Sequence, residues 1–287
     1  MIHYSLILST LSLKSKEIVQ KSKTRVKSLV WFCPNGHEFQ ILTDDGLKMY
    51  FQVIRSGHNE SFPFKVDDRI LSVARNNLGG GTSWIIKASE ENILELIDRF
   101  SGYFVGLFSV ERYFLDILYS TDLLNLFIWK HTKQFEVVNV PRALQYHSQS
   151  SSMPVISFLL DELNIKDLRM DVWNMESWEV ESDDEEDVGY SKPLRIERLE
   201  TDGRWFTIDS FMNMECKDIC VRYEFLNSNQ LNAFLEKWMN GGFENLEKFE
   251  MKVDMFGIEP EAKLGNILKD IPTTACNPIG NRPPHLR

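Results

Sequence analysis

The stretch NSNQLNAFLEKWMNGGFENLEKFEMKV, residues 227–253, predicts a helix, a stop and a strand in direct succession. Ser228 is suited to cap the helix, because its hydroxyl can accept a backbone N–H of the first turn. The Gly241-Gly242 pair supplies the positive φ that ends a helix. The apolar residues of the helix recur at i, i+3, i+4 and i+7 and form one stripe: Leu231, Phe234, Leu235 and Trp238. We interpret this unit as scaffold, because none of its residues suggests catalysis.

Four stretches of the chain share one strand-like spacing, with apolar residues at positions one, four, six and often eight. They begin at Leu123, Ile165, Cys216 and Leu246. This is the L-x-x-L-x-L arrangement of leucine-rich repeats, although the copies begin 42, 51 and 30 residues apart, less regularly than usual. We therefore predict an α/β fold with an irregular leucine-rich-repeat-like solenoid of alternating helices and short strands. An ordinary α/β domain with short strands is the alternative.

The residues before the solenoid predict a helix and a small β meander. The helix covers residues 4–23 and ends in a basic segment, which suits the negative end of the helix dipole. The polar, glycine-bearing residues 76–83 are expected to form a connector after the meander. Further along the chain, Pro154 is expected in the first turn of a helix that leads into 155–163. The strands of the meander are expected at 26–32, 38–43 and 47–54.

Composition and charge favour an intracellular protein that binds neither nucleic acid nor membrane. The 287 residues are 43% hydrophobic and 26% charged, as in ordinary globular proteins. Residues 176–187 contain eight acids and no base, so the net charge of -10 leaves the remainder near neutral. Phosphate binding needs clustered Lys and Arg, and a membrane span needs roughly 20 apolar residues. The four cysteines are too sparse for a disulfide framework and indicate the cytoplasm or nucleus.

The familiar motifs of catalysis and metal binding are missing from the sequence. Cys33 and His37 could hold zinc only with two ligands from elsewhere, and Cys216 and Cys220 are too far apart on one strand for a disulfide. The glycine-rich residues 78–83 lack the lysine of a P-loop, and no G-x-S-x-G elbow is present. We expect no enzyme activity, no cofactor and no metal. A hydrolase or transferase with an unrecognised site is the remaining alternative.

The acidic run at 176–187 is the most conspicuous surface feature of the sequence. Its simplest interpretation is a solvated loop. It could also attract a basic segment of a partner through its field. Ser182, followed by Asp183, Asp184 and Glu185, is similarly a candidate for phosphorylation by an acid-directed kinase.

Residues 205–253 resemble the F-box-associated domain, type 2, of the large nematode F-box protein family. The N-terminus resembles the end of the F-box itself. The residues that match the associated domain are Trp205, Thr207, Asp209, Phe211, Leu231, Asn232, Phe234, Leu235, Trp238, Gly241, Leu246 and Phe249. Those that match the F-box are Leu8, Leu11, Ser12, Leu13, Ser15 and Lys16.

The resemblance implies a substrate receptor of a cullin–RING ubiquitin ligase. In that family the F-box docks on a Skp-type adaptor, here through Leu8, Leu11 and Leu13, and the C-terminal domain binds a protein substrate. A complete F-box opens with a Leu-Pro-containing segment, whereas Met1 begins inside its last third. The alternative is therefore a stand-alone interaction module or a decoy that binds targets without the adaptor.

The resemblance and the composition together divide the chain. We expect an F-box remnant, a β meander with its connector, a leucine-rich-repeat-like body and a largely disordered tail, at residues 1–25, 26–87, 88–255 and 256–287. The F-box-associated domain occupies about 200–255 of the body. Exposed arginines and aromatic residues near the strands are the candidates for partner binding, because such residues dominate interfaces. They are Arg169, Trp173, Arg222 and Tyr223.

Overall fold

The fold is given by a computed structural model of the chain, which divides into two compact units at residues 1–139 and 140–287. The structure describes residues 12–22, 24–32, 38–42, 48–54, 61–66, 69–78, 81–87, 93–117, 124–140, 149–170, 189–203, 205–222 and 226–252.

The N-terminal unit contains two helices, a 3-10 helix and eight strands among its described residues. The helices are α1 (Leu13–Ser22), α2 (Ile93–Leu107) and the 3-10 helix Phe127–Lys130. The strands are β1 (Arg25–Phe32), β2 (Glu38–Leu42), β3 (Lys48–Ile54), β4 (Phe62–Val66), β5 (Arg69–Leu78), β6 (Gly81–Lys87), β7 (Ser109–Asp116) and β8 (Gln134–Val140), which ends at the unit boundary.

These eight strands form a mixed sheet in the order β8-β7-β1-β2-β3-β6-β5-β4. Strands joined by short connections are antiparallel, namely β1 with β2, β2 with β3, β4 with β5 and β5 with β6. Parallel pairs join β1 to β7, β3 to β6 and β7 to β8. Parallel neighbours need longer crossovers, and α2 lies on the longest of them.

Aromatic side chains of α2 and the sheet form the core of this unit. Phe100 and Phe104 recur at helical spacing and are buried. Their ring centroids lie 5.4 and 4.9 Å from that of Phe51 on β3, which also stacks on Trp84 of β6 at 6.0 Å. His131, after the 3-10 helix, joins that helix to α2 through a 2.9 Å contact between its Nε2 and Oδ1 of Asp98.

The C-terminal unit contains a four-stranded parallel sheet among its described residues. The strands follow the chain in the order β9-β10-β11-β12. Its strands are β9 (Asn164–Met170), β10 (Arg198–Thr201), β11 (Asp218–Arg222) and β12 (Lys248–Lys252), and its helices are α3 (Gln149–Asp161), α4 (Ile208–Met212) and α5 (Ser228–Met239).

The helices of this unit bring aromatic residues against one face of the sheet. Phe234 of α5 is fully buried, and its ring centroid lies 5.1 Å from Phe211 of α4 and 4.6 Å from Phe249 of β12. Asn227 begins α5 with a capping box: its side chain accepts the Gln230 N–H, and the Gln230 side chain accepts the Asn227 N–H. Gly241, at φ +77°, follows the end of α5.

The predicted leucine-rich-repeat-like solenoid is wrong. The eight strands of the N-terminal unit form a mixed sheet, in which β1–β2, β2–β3, β4–β5 and β5–β6 are antiparallel. In the stretch that begins at Leu123, Phe127 and Ile128 lie in a 3-10 helix instead of a strand. The other three stretches with the repeat-like spacing do contain strands β9, β11 and β12. The apolar spacing reports a strand with one buried face, and it does not specify which strands become neighbours.

Two local predictions about helices also need correction, and a third is confirmed over part of its length. Asn227, and not Ser228, is the N-cap of α5. Helix α3 begins at Gln149, so Pro154 lies inside it and not in its first turn. Within the stretch expected to be helical at 4–23, residues Leu13–Ser22 form a helix, and residues before Ser12 lie outside the described part of the chain.

Across the described residues, the structure contains no helix that combines the length and the apolar character needed to cross a membrane.

Candidate functional site

The strands of the C-terminal sheet have one apolar face and one charged face. Side chains alternate between the faces of a strand, and the aligned residues Leu168, Leu199 and Ile219 are all buried on the apolar face. The opposite face, here named the polar face, carries Asp167, Arg169, Arg198, Glu200, Asp218, Cys220, Lys248, Glu250 and Lys252. The charged positions therefore come together on one surface only because the four strands pair in this register.

The register arranges the polar face in rows that cross the strands. The first row contains Asp167, Arg198, Asp218 and Lys248, whose charges alternate in sign. The second row contains Arg169, Glu200, Cys220 and Glu250. Opposite charges on neighbouring strands stabilise a sheet by roughly 0.2–1 kcal/mol per pair, so the first row supports the observed register.

Asp167 is the anchor of the polar face. Its side chain is only 9% exposed, whereas those of Arg169 and Arg198 are 51% and 44% exposed. Arg169 donates from Nη2 to Oδ2 at 3.3 Å and from Nε to Oδ1 at 3.4 Å, and Arg198 Nε lies 3.3 Å from Oδ2. The hydrogen bond with Asp167 raises the pKa of Arg169. One carboxylate thus orients two guanidinium groups that remain open to solvent.

An ion pair beside the second row crosses β11 and joins β10 to β12. Lys252 on β12 donates a hydrogen bond to Glu200 on β10, and Lys248 donates to Glu250 at 2.8 Å. The hydrogen bond with Glu200 raises the pKa of Lys252. Cys220 lies between these strands and is half-buried, and burial raises the pKa of its thiol. Burial thus disfavours the thiolate, which is the nucleophilic form of cysteine.

The polar face encloses only a small depression. Its volume is about 150 Å³, below the roughly 300–1,000 Å³ of typical small-molecule sites. Its charged lining residues are Asp167, Arg169, Arg198, Glu200, Asp218 and Lys248. A shallow, charged and half-exposed surface of this kind suits contact with a macromolecule better than enclosure of a cofactor.

A second cavity, of about 330 Å³, lies beside the end of α3. Tyr190 donates from its hydroxyl to Oδ1 of Asp161 at 2.9 Å, and Lys192 donates from Nζ to Oδ2 at 2.6 Å. Burial, followed by the bond to Asp161, raises the pKa of Tyr190 to about 12, and the bond with Lys192 lowers the pKa of Asp161. Tyr190, Asp161 and Lys192 thus satisfy one another's hydrogen-bonding groups and hold residues 189–196 against α3. The polar groups that line this cavity therefore have a structural role.

The structure places two of the four candidate partner-binding residues on the strands of this sheet. Arg169 lies on the polar face, and Arg222 is the last residue of β11, in register with Lys252. Trp173 and Tyr223 lie outside the described residues. So do Ser182, the acidic run, Cys33, His37, Leu8 and Leu11, while Leu13 is the first residue of α1.

Sequence reasoning missed most of the polar face, including Asp167, Arg198 and Glu200. A signal for them was available, because three of the four strands carry charges at alternate positions: D-L-R at 167–169, R-L-E at 198–200 and K-F-E-M-K at 248–252. In the part of the chain that the structure describes, no three His, Cys, Asp or Glu side chains are grouped as metal ligands.

Comparison with known proteins finds a family match for the region that contains most of the polar face. Residues 192–251 match a family model described as F-box associated. The match confirms an F-box-associated domain, as predicted from residues 205–253, and leaves the F-box comparison at residues 8–16 a prediction. It includes β10, β11 and all of β12 except its last residue. No curated protein and no solved structure matches the chain.

Proposed function

We propose that this chain is a non-catalytic substrate-recognition protein that binds a protein target through the polar face. One observation carries the proposal: the F-box-associated match at 192–251 covers three of the four strands that form this face. A domain associated with F-boxes is expected to recognise the protein that the F-box complex acts on. The polar face is the charged surface that such a domain here presents.

The chemistry of the polar face supports a protein target. Arg169 and Arg198 are held in place by Asp167 while about half of each side chain stays exposed. Oriented guanidinium groups bind carboxylates with two parallel hydrogen bonds, and arginine is enriched among residues that dominate interface energies. Arg222, which is in register with Lys252, also belongs to the proposed surface. Trp173 and Tyr223 stay candidates from the sequence.

The proposed link to a ubiquitin ligase rests on the N-terminal residues. The likeness of residues 8–16 to the end of an F-box supports binding of a Skp-type adaptor through Leu8, Leu11 and Leu13. The alternative is a stand-alone module or decoy that holds targets without the adaptor. A pull-down with purified adaptor separates the two, with the chain tested beside a version extended by a complete F-box. Binding of the chain as given supports a ligase receptor, and binding of the extended version alone supports the decoy.

The target-binding proposal is tested by proximity labelling in cells with the full chain and two matched variants. Arg169→Glu reverses a charge on the polar face. Lys166→Glu makes the same change of net charge at an exposed position of β9 that does not belong to the polar face. Specific target proteins should be depleted about fivefold or more with Arg169→Glu, since loss of an arginine that dominates an interface costs over about 1 kcal/mol. They should be retained with Lys166→Glu.

Both variants must first show a wild-type circular dichroism spectrum and a cooperative thermal transition. Equal labelling by the wild type and Arg169→Glu would show that the polar face does not bind the target.

A further inference from the structure

Strand β12 is the outer edge of the C-terminal sheet. It pairs with β11, and with no other strand among the residues that the structure describes. The Lys248 N–H donates to the Lys217 carbonyl at 3.0 Å, so the backbone groups of Lys248 point toward β11. Backbone groups alternate in direction along a strand, and those of Phe249 and Met251 therefore point away from β11. Among the described residues, this edge therefore presents two N–H and two C=O groups that can pair with a further strand.

The side chains of β12 indicate which strand would fit. Lys248, Glu250 and Lys252 lie on the polar face with 46%, 45% and 51% of their side chains exposed. The first row of the face alternates in sign across four strands and ends at Lys248. A fifth strand that places opposite charges beside β12 carries an acid, a base and an acid at alternate positions. This pattern reads the same in both chain directions.

The same charges disfavour pairing with a second copy of β12. In full register, either parallel or antiparallel, two copies place lysine opposite lysine and Glu250 opposite Glu250, and like charges directly opposite destabilise a sheet. Lysine at an exposed edge is a common protection against such self-association. The edge therefore excludes its own copy while keeping a charge pattern that a different segment can complement.

We propose that β12 is a docking edge, to which an extended segment of the protein target adds as a fifth strand of the sheet. This proposal rests on the proposed function, since the segment belongs to the recognised target. The segment carries acidic, basic and acidic residues at alternate positions, beside Lys248, Glu250 and Lys252. Main-chain hydrogen bonds to Phe249 and Met251 supply the affinity, and the charge pattern supplies the specificity.

Binding is measured by fluorescence anisotropy with the full chain and a labelled synthetic peptide. The probe peptide has glutamate, lysine and glutamate at alternate positions, separated by valines, and the control peptide has the two charge types exchanged. The chain should bind the probe at least about tenfold more tightly than the control, since three opposite-charge neighbours become three like-charge neighbours. Equal affinity for the two peptides would overturn the proposal.

Two substitutions at one position test the main-chain contact. Met251→Pro removes an outward N–H without removing a hydrogen bond to β11, and proline is tolerated on edge strands for that reason. Met251→Ala shortens the same side chain and keeps the N–H. Met251→Pro should weaken probe binding about tenfold or more, while Met251→Ala stays within about threefold, because only proline removes the donor and obstructs the edge.

A charge-reversed variant keeps the test decisive if Met251→Pro does not fold. Lys248→Glu combined with Lys252→Glu should reverse the preference, so that the charge-exchanged peptide binds more tightly than the probe. An unchanged preference would contradict docking at β12.

The two experiments distinguish failure of edge docking from failure of target recognition by the polar face. If the peptides show no edge-dependent binding while Arg169→Glu still loses its labelled targets, edge docking is wrong and target recognition by the polar face stands. If both experiments show no effect, both proposals are wrong.

Discussion

Neutralising Asp167 should destabilise the C-terminal unit more than any comparable change at an exposed acid. Asp167→Asn keeps the shape of the side chain but removes the charge that lies 3.3 Å from both Arg169 Nη2 and Arg198 Nε. The two guanidinium groups would then lie side by side without their shared carboxylate. The loss of stability therefore has two parts. The arginines lose their attraction to Asp167, and the repulsion between Arg169 and Arg198 is no longer offset.

The magnitude follows from how exposed the partners are. Hydrogen bonds to charged groups contribute about 1.5–3 kcal/mol, whereas ion pairs at the surface contribute about 0–1 kcal/mol. Asp167 is buried but both arginines are roughly half exposed, so solvent screening places the expected loss between these limits. We expect Asp167→Asn to lower the free energy of unfolding by about 1–2 kcal/mol.

Urea denaturation at low ionic strength measures this loss as a shift in midpoint at unchanged slope. Glu244→Gln, at an exposed position after α5, is the matched control and should stay within about 0.5 kcal/mol of the wild type. Added salt should reduce the difference, because the arginines are accessible to screening ions. The reasoning is refuted if Asp167→Asn and Glu244→Gln have the same free energy of unfolding, or if salt enlarges the effect of Asp167→Asn.

Three further predictions concern the packing, capping and titration of the C-terminal unit. Phe234→Ala should cost about 3–5 kcal/mol in urea denaturation because Phe234 is fully buried, whereas Met239→Ala, on the exposed side of the same helix, should cost less than about 1 kcal/mol. Asn227→Ala removes the acceptor of the capping box and should cost about 1 kcal/mol, and a cost indistinguishable from zero would contradict the cap. The pKa of Tyr190 is raised from 10.0 to about 12, so its stabilising effect is complete below pH 10 and is lost as the pH rises toward 12. Thermal melts should therefore show a steeper loss of stability between pH 10 and 12 in the wild type than in Tyr190→Phe, and parallel losses would refute the role of this hydroxyl.

Several elements of the C-terminal unit could be predicted because their signals are local. The apolar stripe of α5 and the glycine at 241 mark a helix and its end, and the structure has α5 at Ser228–Met239 with positive φ at Gly241. The alternating apolar residues in β9 and β12 likewise predicted strands. In contrast, Phe127, Ile128 and Trp129 are consecutive and all buried, so the spacing that begins at Leu123 did not distinguish a strand from the 3-10 helix.

The neighbours of each strand could not be predicted, because pairing is a long-range property. Strand β1 pairs with β2 nearby and also with β7, whose register joins Arg25 to Ser109. The leucine-rich-repeat-like spacing describes one face of one strand and contains no information about its partners. The solenoid prediction was wrong for this reason.

The sequence by itself determined the chemistry of the candidate site, and the tertiary structure decided its geometry. Arg169 was a candidate from residue type alone, and alternating charges were visible in β9, β10 and β12. Only the register that aligns Asp167 with Arg198, and Arg198 with Asp218, makes those separate charges into one surface. The physical reason is that side-chain direction repeats every two residues within a strand, whereas alignment between strands depends on hydrogen bonds and core packing between distant parts of the chain.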